Sequence, residues 1–273
     1  MRILHVWDHA AVSCTLAKYQ HEICGHETRV IKRRGFDPYG IMGFYGRKSV
    51  RSFTKYGFYL QVMRAARAFD LIHIHDLHAL VPIIKGMSPE KRVILHYHGP
   101  ACYAGRNAAQ AENELKADRV LVATPDLLSL GGFGGNTLVT YVPNPVDTAH
   151  FNPEGHPWGG PTVYPAKDTE NISRVRVLMS NRGMGVNFRI MSRAANPVMY
   201  ADMPRVLGKY GRVIDVNFVR GQIARAHSMT GLQALALGLE VVNHDFEVVR
   251  GLPDRHTPAG AVMEMEEVYD SVS

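Results

Sequence analysis

The chain has 273 residues, of which 46% are hydrophobic and 21% charged; that is enough apolar material for one large or two small packed domains, and it excludes a disordered or fibrous chain. A formal net charge of +6 favours polyanionic partners. Three cysteines, Cys14, Cys24 and Cys102, are odd in number and lack metal-ligand spacing, which excludes a disulfide scaffold. No apolar run is long enough to span a bilayer, so a cytoplasmic protein without leader or membrane span is expected.

In chain order, the first half alternates strand-like and helix-like segments. Strands are predicted at Ile3–Trp7, Thr28–Ile31, Leu71–His75, Arg92–His96, Arg119–Ala123 and Leu138–Tyr141. Helices are predicted at Val12–Cys24, Ser52–Phe69, Leu77–Lys85 and Asn107–Lys116. Several strands read as continuous apolar runs, the mark of strands covered on both faces of a parallel sheet. The alternation predicts a doubly wound α/β domain. Between Arg29 and Arg67, ten basic residues face the single acid Asp37 and are interleaved with aromatics such as Phe36, Phe44, Tyr56 and Tyr59. Such a mixture suits an anionic membrane surface. No nucleic-acid motif accompanies it, so nucleic acid is not an expected partner.

Residues 143 to 167 are rich in proline and glycine and read as a linker. Gly131–Gly135 precedes a strand, which makes it a turn rather than a phosphate loop. A second alternation follows: a strand at Arg174–Ser180, a helix at Met203–Tyr210, a strand at Arg212–Val216, a helix at Thr230–Leu237, a strand at Val241–Val242 and a helix in the tail Ala259–Val272. Two Rossmann-like α/β domains are therefore expected, at 1–160 and 161–273, the second small.

Ligands of open parallel sheets bind beyond the carboxyl ends of the strands. Asp8 follows the first strand; His75, Asp76 and His78 mark the end of the third; His98 and Gly99 follow the fourth. Arg182, read as following the first strand of the second half, suits phosphate because its fork matches two oxygens. Ser228 and Thr230 can cap a helix whose free N–H groups, with Gly231 and Leu232, suit a phosphate. The histidines invite a metal reading, but His73 and His96 lie inside strands and no HExxH or cysteine cluster supports them; no metal is expected.

Taken together, these segments resemble the two-Rossmann-domain (GT-B type) retaining glycosyltransferases, the group of mannosyltransferase-like and glycogen-synthase-like enzymes. The resemblance rests on Phe69–Asp76, Val93–Gly99, Ala117–Thr124, Tyr141–Phe151 and Thr230–Val242, five segments in the family's order. It implies a sugar transferred from a nucleotide-diphosphate sugar, with retention and without a metal or other cofactor. It implies that the donor lies mainly on the second domain and the acceptor on the first. By position, His98 would contact the transferred sugar, Arg182 and the Ser228–Leu232 backbone the diphosphate, and Gln233 a ribose hydroxyl or the sugar. His75, Asp76, Gly99 and Asp8 would line the substrate side. The basic aromatic stretch 29–67 would bring a lipid-linked or glycan acceptor, at the inner surface of a membrane. The family's two donor-segment glutamates are here Arg225 and Gln233. That replacement leaves a non-catalytic nucleotide- or sugar-binding relative as the second reading, and an epimerase of the same fold as a third.

Overall fold

The computed structural model describes residues 1–50, 52, 54–99, 107–130, 139–154, 159–166, 169–192 and 197–272. Cys102, Leu138 and the Gly131–Gly135 turn lie outside them. The chain divides into two compact units, Met1–Pro145 with Arg255–Ser273, and Val146–Asp254.

The first unit is a sheet of six parallel strands: β1 (Arg2–Val6), β2 (Glu27–Ile31), β3 (Leu71–His75), β4 (Arg92–Tyr97), β5 (Arg119–Val122) and β6 (Val139–Tyr141), in the order β2-β1-β3-β4-β5-β6. The order reverses between β1 and β3, where a doubly wound sheet opens a crevice at its carboxyl edge. The helices are α1 (Val12–Cys24), the single turn α2 (Ile41–Phe44), α3 (Lys55–Ala66), α4 (Leu80–Met87), α5 (Ala108–Glu114) and α6 (Pro125–Leu130). Thr54 starts α3 by accepting the Gly57 N–H, and Asn107 starts α5 by accepting that of Gln110. Gly25, at φ 68°, ends α1 in the left-handed conformation that glycine adopts without penalty.

The sheet's two faces differ in chemistry. Leu4, Val6, Ile72, Ile74, Val93, Leu95, Tyr97, Val120 and Val122 build the main apolar core with Phe58, Val62 and Leu80. The opposite face carries His5, His73, His75 and His96, each with no exposed surface. In β3, Leu-Ile-His-Ile-His is thus an alternation of two buried faces rather than one apolar run.

The second unit has a five-stranded sheet of β7 (Thr162–Tyr164), β8 (Arg189–Ile190), β9 (Arg212–Ile214), β12 (Glu240–Val242) and β13 (Val248–Val249), in the order β13-β12-β9-β7-β8. Only β13 runs antiparallel. A hairpin, β10 (Phe218–Val219) and β11 (Gln222–Ile223), turns at Arg220-Gly221, both at positive φ. Its helices are α7 (Thr169–Ser180), α8 (Met203–Leu207) and α9 (Met229–Ala236).

Three expectations need correction. Arg174–Ser180 belongs to helix α7, not to a strand. The alternating Val175 and Val177 suggested a strand, but Val175 and Met179, four apart, are buried while Val177 is 59% exposed. The first strand of this unit is instead β7, inside the segment read as linker. The C-terminal helix α10 (Pro258–Asp270) belongs to the first unit, where Tyr269 bonds Gln20 and His73, and Glu266 bonds His26. An amphipathic tail helix reveals that it packs, not on which sheet.

Candidate functional site

At the carboxyl edge of the first sheet, the chain leaves β1 through Trp7, Ala10 and Ala11, all at positive φ, and leaves β3 through Asp76, at φ 61°. Non-glycine residues in that region cost of order 1–3 kcal/mol each and cluster at functional sites. Asp76 Oδ1 accepts the His98 N–H at 3.0 Å, and Oδ2 lies 3.4 Å from His9 Nδ1. His9 is stacked on His98 with centroids 6.3 Å apart and is the exposed member of the group.

Behind this edge the histidines form one hydrogen-bonded system. His98 Nδ1 lies 2.8 Å from Asn144 Oδ1, and His98 Nε2 lies 2.7 Å from His75 Nδ1. His75 Nε2 meets His5 Nδ1 at 3.1 Å, and His5 Nε2 meets Gln20 Oε1 at 2.9 Å. Through Tyr269, Gln20 connects to His73 Nδ1, and His73 Nε2 lies 3.3 Å from His96 Nδ1. His96 Nε2 has no hydrogen-bond partner, although the Val142 backbone is near enough to favour its protonated form. Burial lowers all five histidines far below the usual imidazole range, His5 to about 3, so the system is neutral at ordinary pH.

This placement alters the sequence expectations. His75 is sealed, with both nitrogens engaged, and does not face a substrate. His98 is 8% exposed and also has both nitrogens engaged. Asp8 does not line a substrate surface either: its carboxylate accepts the Ala11 and Cys14 N–H groups at the start of α1 and lies 3.7 Å from Lys32 Nζ. Asp76 and Gly99 do lie at the carboxyl edge, next to His98.

In the second unit, Ser228 caps α9, its Oγ accepting the Gly231 N–H at 3.1 Å, while its own carbonyl accepts Leu232 N–H. The helix start is not an open anion cradle. The Asp215 carboxylate, at the carboxyl end of β9, accepts the Ser228 N–H at 2.9 Å and bonds His227 Nδ1 at 3.0 Å and Asn217 Nδ2 at 2.9 Å. Any Cβ on Gly231 would collide with that carboxylate, so glycine here admits the chain's own anion. Thr230 is buried within the same turn. Asp215 and His227 were missed by sequence reasoning: Asp215 is thirteen positions before Ser228 and reaches it only because β9 lies beside α9.

Gln233 is 5% exposed, and its Oε1 is a buried acceptor with no donor. Arg182 follows a helix rather than a strand. Its Nη1 donates to the Leu178 carbonyl, and its guanidinium lies 4.1 Å from the Phe246 ring, in the turn after β12. It is exposed. Replacing the expected strand with a helix removes the original argument for Arg182 but leaves it beside the carboxyl edge of β12.

No family model matches the sequence, and no curated protein does. Solved structures do match in fold. HepE from Anabaena, solved in complex with UDP, aligns over 99% of this chain and 100% of its own at 10% identity and a TM-score of 0.62. AviGT4, a glycosyltransferase involved in avilamycin A biosynthesis, aligns over 100% and 97% at 14% identity and a TM-score of 0.56. A sucrose-phosphate synthase from Thermosynechococcus elongatus aligns over 100% and 90% at 10% identity and a TM-score of 0.52. The chain therefore has the GT-B glycosyltransferase fold, as the order of its sequence segments implied.

Proposed function

We propose that the chain is a glycosyltransferase that takes a sugar from a nucleotide-diphosphate sugar, with the nucleotide held on the second unit by α9. The observation that carries this reading is the unpaired Gln233 Oε1. A buried acceptor without a donor costs roughly 1–3 kcal/mol, and a ribose hydroxyl supplies the missing donor. Gln233 lies in the segment that resembles the family's donor segment. The HepE structure, which contains UDP, has the same fold. Arg182, exposed beside Phe246, is a cation offered to the diphosphate; Asp76 and Gly99, at the other sheet's edge, are the candidates for the acceptor side and the transferred sugar. Transfer proceeds with retention and without a metal at the diphosphate. The acceptor is lipid-linked or glycan, approached through the basic aromatic stretch 29–67, in which Phe36, Phe44, Tyr56 and Leu60 are exposed, as are Arg34, Lys48 and Lys55. Among the described residues, no helix is long and apolar enough to cross a membrane.

Thermal shift with nucleoside diphosphates and their sugars tests this, because a ligand that binds only the native state raises Tm. Gln233→Met should abolish the shift while leaving the free protein as stable or more so, since it removes an unpaired polar atom. No shift with any nucleotide at millimolar concentration overturns the reading. A second reading, a binding relative without turnover, is favoured by Asp215, which fills the helix terminus where a diphosphate would gain most. Nucleotide binding with neither transfer nor donor hydrolysis would establish it.

A further inference from the structure

We propose that His75, His96 and His98 form a binding site for one divalent transition metal ion of the zinc type. The site is independent of the sugar-transfer reading. His75 and His96 are register partners across β3 and β4, and His98 follows His96 by two on the same face. One ring nitrogen of each lies within 4.8 Å of one from each of the others. The sequence obscured this set, because it is assembled by cross-strand register rather than by a local motif.

Proton counting supports the site. The chain from Gln20 through His5, His75 and His98 to Asn144 has four links, and both terminal amides present oxygen. With both amides presenting oxygen, four N–H groups are needed and three neutral imidazoles supply three; the alternative source of the fourth is the Asn144 NH2, were that amide turned toward His98. With His5 Nε2–H donating to Gln20, His75 Nε2–H to His5 and His98 Nδ1–H to Asn144, the unfilled link is His75 Nδ1 to His98 Nε2. Two lone pairs then face each other at 2.7 Å. In the tautomer with His73 Nδ1–H donated to the Tyr269 hydroxyl and His96 Nδ1–H donated to His73 Nε2, His96 Nε2, which has no hydrogen-bond partner, carries a third lone pair. Each candidate ligand thus has its other nitrogen held by a partner, the arrangement that orients metal-bound imidazoles. A cation fills the deficit that the protons leave.

Imidazole sets of this kind suit zinc, copper or nickel, and three ligands leave a fourth position open. With Zn–N distances of about 2.0–2.1 Å, tetrahedral ligand nitrogens are about 3.3 Å apart. His75 and His98 must therefore separate by about half an ångström. The half-exposed His9, stacked on His98, marks the side nearest solvent.

The test is titration of the chelator-stripped full chain with Co2+, a visible-absorbing probe for zinc sites. The expected result is one equivalent bound with the bands of low-coordinate Co2+, displaced by Zn2+. Three exchangeable, paramagnetically shifted imidazole N–H signals are also expected, from His75 Nε2, His96 Nδ1 and His98 Nδ1. His96→Phe, which keeps a ring in the stack, should abolish binding. Asn144→Leu should weaken it by about 10–100-fold, the usual cost of losing a ligand's orienting partner. Cys24→Ser should leave it unchanged, which separates this site from the group Cys24, His26 and Glu266. The proposal is overturned if no stoichiometric binding occurs, if binding survives in His96→Phe, or if it is lost in Cys24→Ser. Should His96→Phe fail to fold, the wild-type N–H signals decide. Absence of the three signals, or a proton on His98 Nε2 in the titrated protein (Asn144 then turning its NH2 to the ring), overturns it equally.

Discussion

Helices α1 and α9 begin alike: each has an aspartate carboxylate of its own chain at its N-terminus, where the helix dipole favours an anion. Their surroundings differ. Asp8 is close in sequence to the N–H groups of Ala11 and Cys14, its side chain has no exposed surface, and Lys32 lies beside it. Asp215 comes from a strand thirteen positions upstream and is paired with His227, whose side chain is 20% exposed. Two positions past Gly231, Gln233 holds an unpaired oxygen. The first edge has satisfied its helix and turned its polar groups into interior structure. Buried polar atoms without a partner occur at both ends, Ser13 Oγ in α1 and Gln233 Oε1 in α9; on the proposed reading the nucleotide binds at the second, where the glutamine can accept from a ribose hydroxyl.

The largest expected effect concerns the buried histidines of the first edge. In the metal-free protein, unfolded imidazoles take up protons around pH 6.5, whereas the folded ones remain neutral far lower, His5 to about 3. Between these limits the unfolded state binds more protons, so stability falls as pH falls. The slope is about 1.4 kcal/mol per pH unit for each histidine held neutral. Denaturant titrations at pH 7, 6 and 5 should show progressive loss. A flat profile would mean that the stripe is protonated when folded, and the contrast between a closed and an open edge would fail.

Gly231→Ala comes next, because it attacks the second edge alone. The added methyl collides with the Asp215 carboxylate, and overpacking of this kind costs typically 1–3 kcal/mol. Asp215→Asn is the companion, since it keeps the shape but removes the anion from the helix terminus. If that carboxylate holds the diphosphate off, Asp215→Asn binds nucleoside diphosphate more tightly than wild type in calorimetry. Weaker binding would show that Asp215 organises the site instead.

How much of this could be read beforehand follows from how far each contact reaches along the chain. The parallel first sheet, the bounds of α1 and the start of α9 were legible because apolar periodicity and Ser228 capping are local. Asp8, three positions before Ala11, has the spacing of a local helix cap, and its carboxylate accepts the Ala11 and Cys14 N–H groups rather than facing a substrate. Asp215 on α9, α10 in the first unit, and the pairing of His75 with His96 were not legible, because register and crossover create them. Val175 and Val177 show the converse: a local alternation, read as a strand, was overruled by packing that buries Val175 with Met179.

The smallest effect should come from Ser228→Ala. Loss of an N-cap oxygen costs typically about 1 kcal/mol, and a melting curve of the second unit's transition should register it. At α9 the loss is buffered, because Asp215 still holds the Ser228 N–H and only the Gly231 N–H is released. The cost should therefore fall in the lower half of the usual range of about 0.5–2 kcal/mol. The same substitution made together with Asp215→Asn should cost more than the sum of the two, because both groups serve one helix end and contacting residues do not add. Simple additivity would mean that the carboxylate and the hydroxyl act on α9 independently, and the helix terminus would then be less closed to an outside phosphate than its hydrogen bonds indicate.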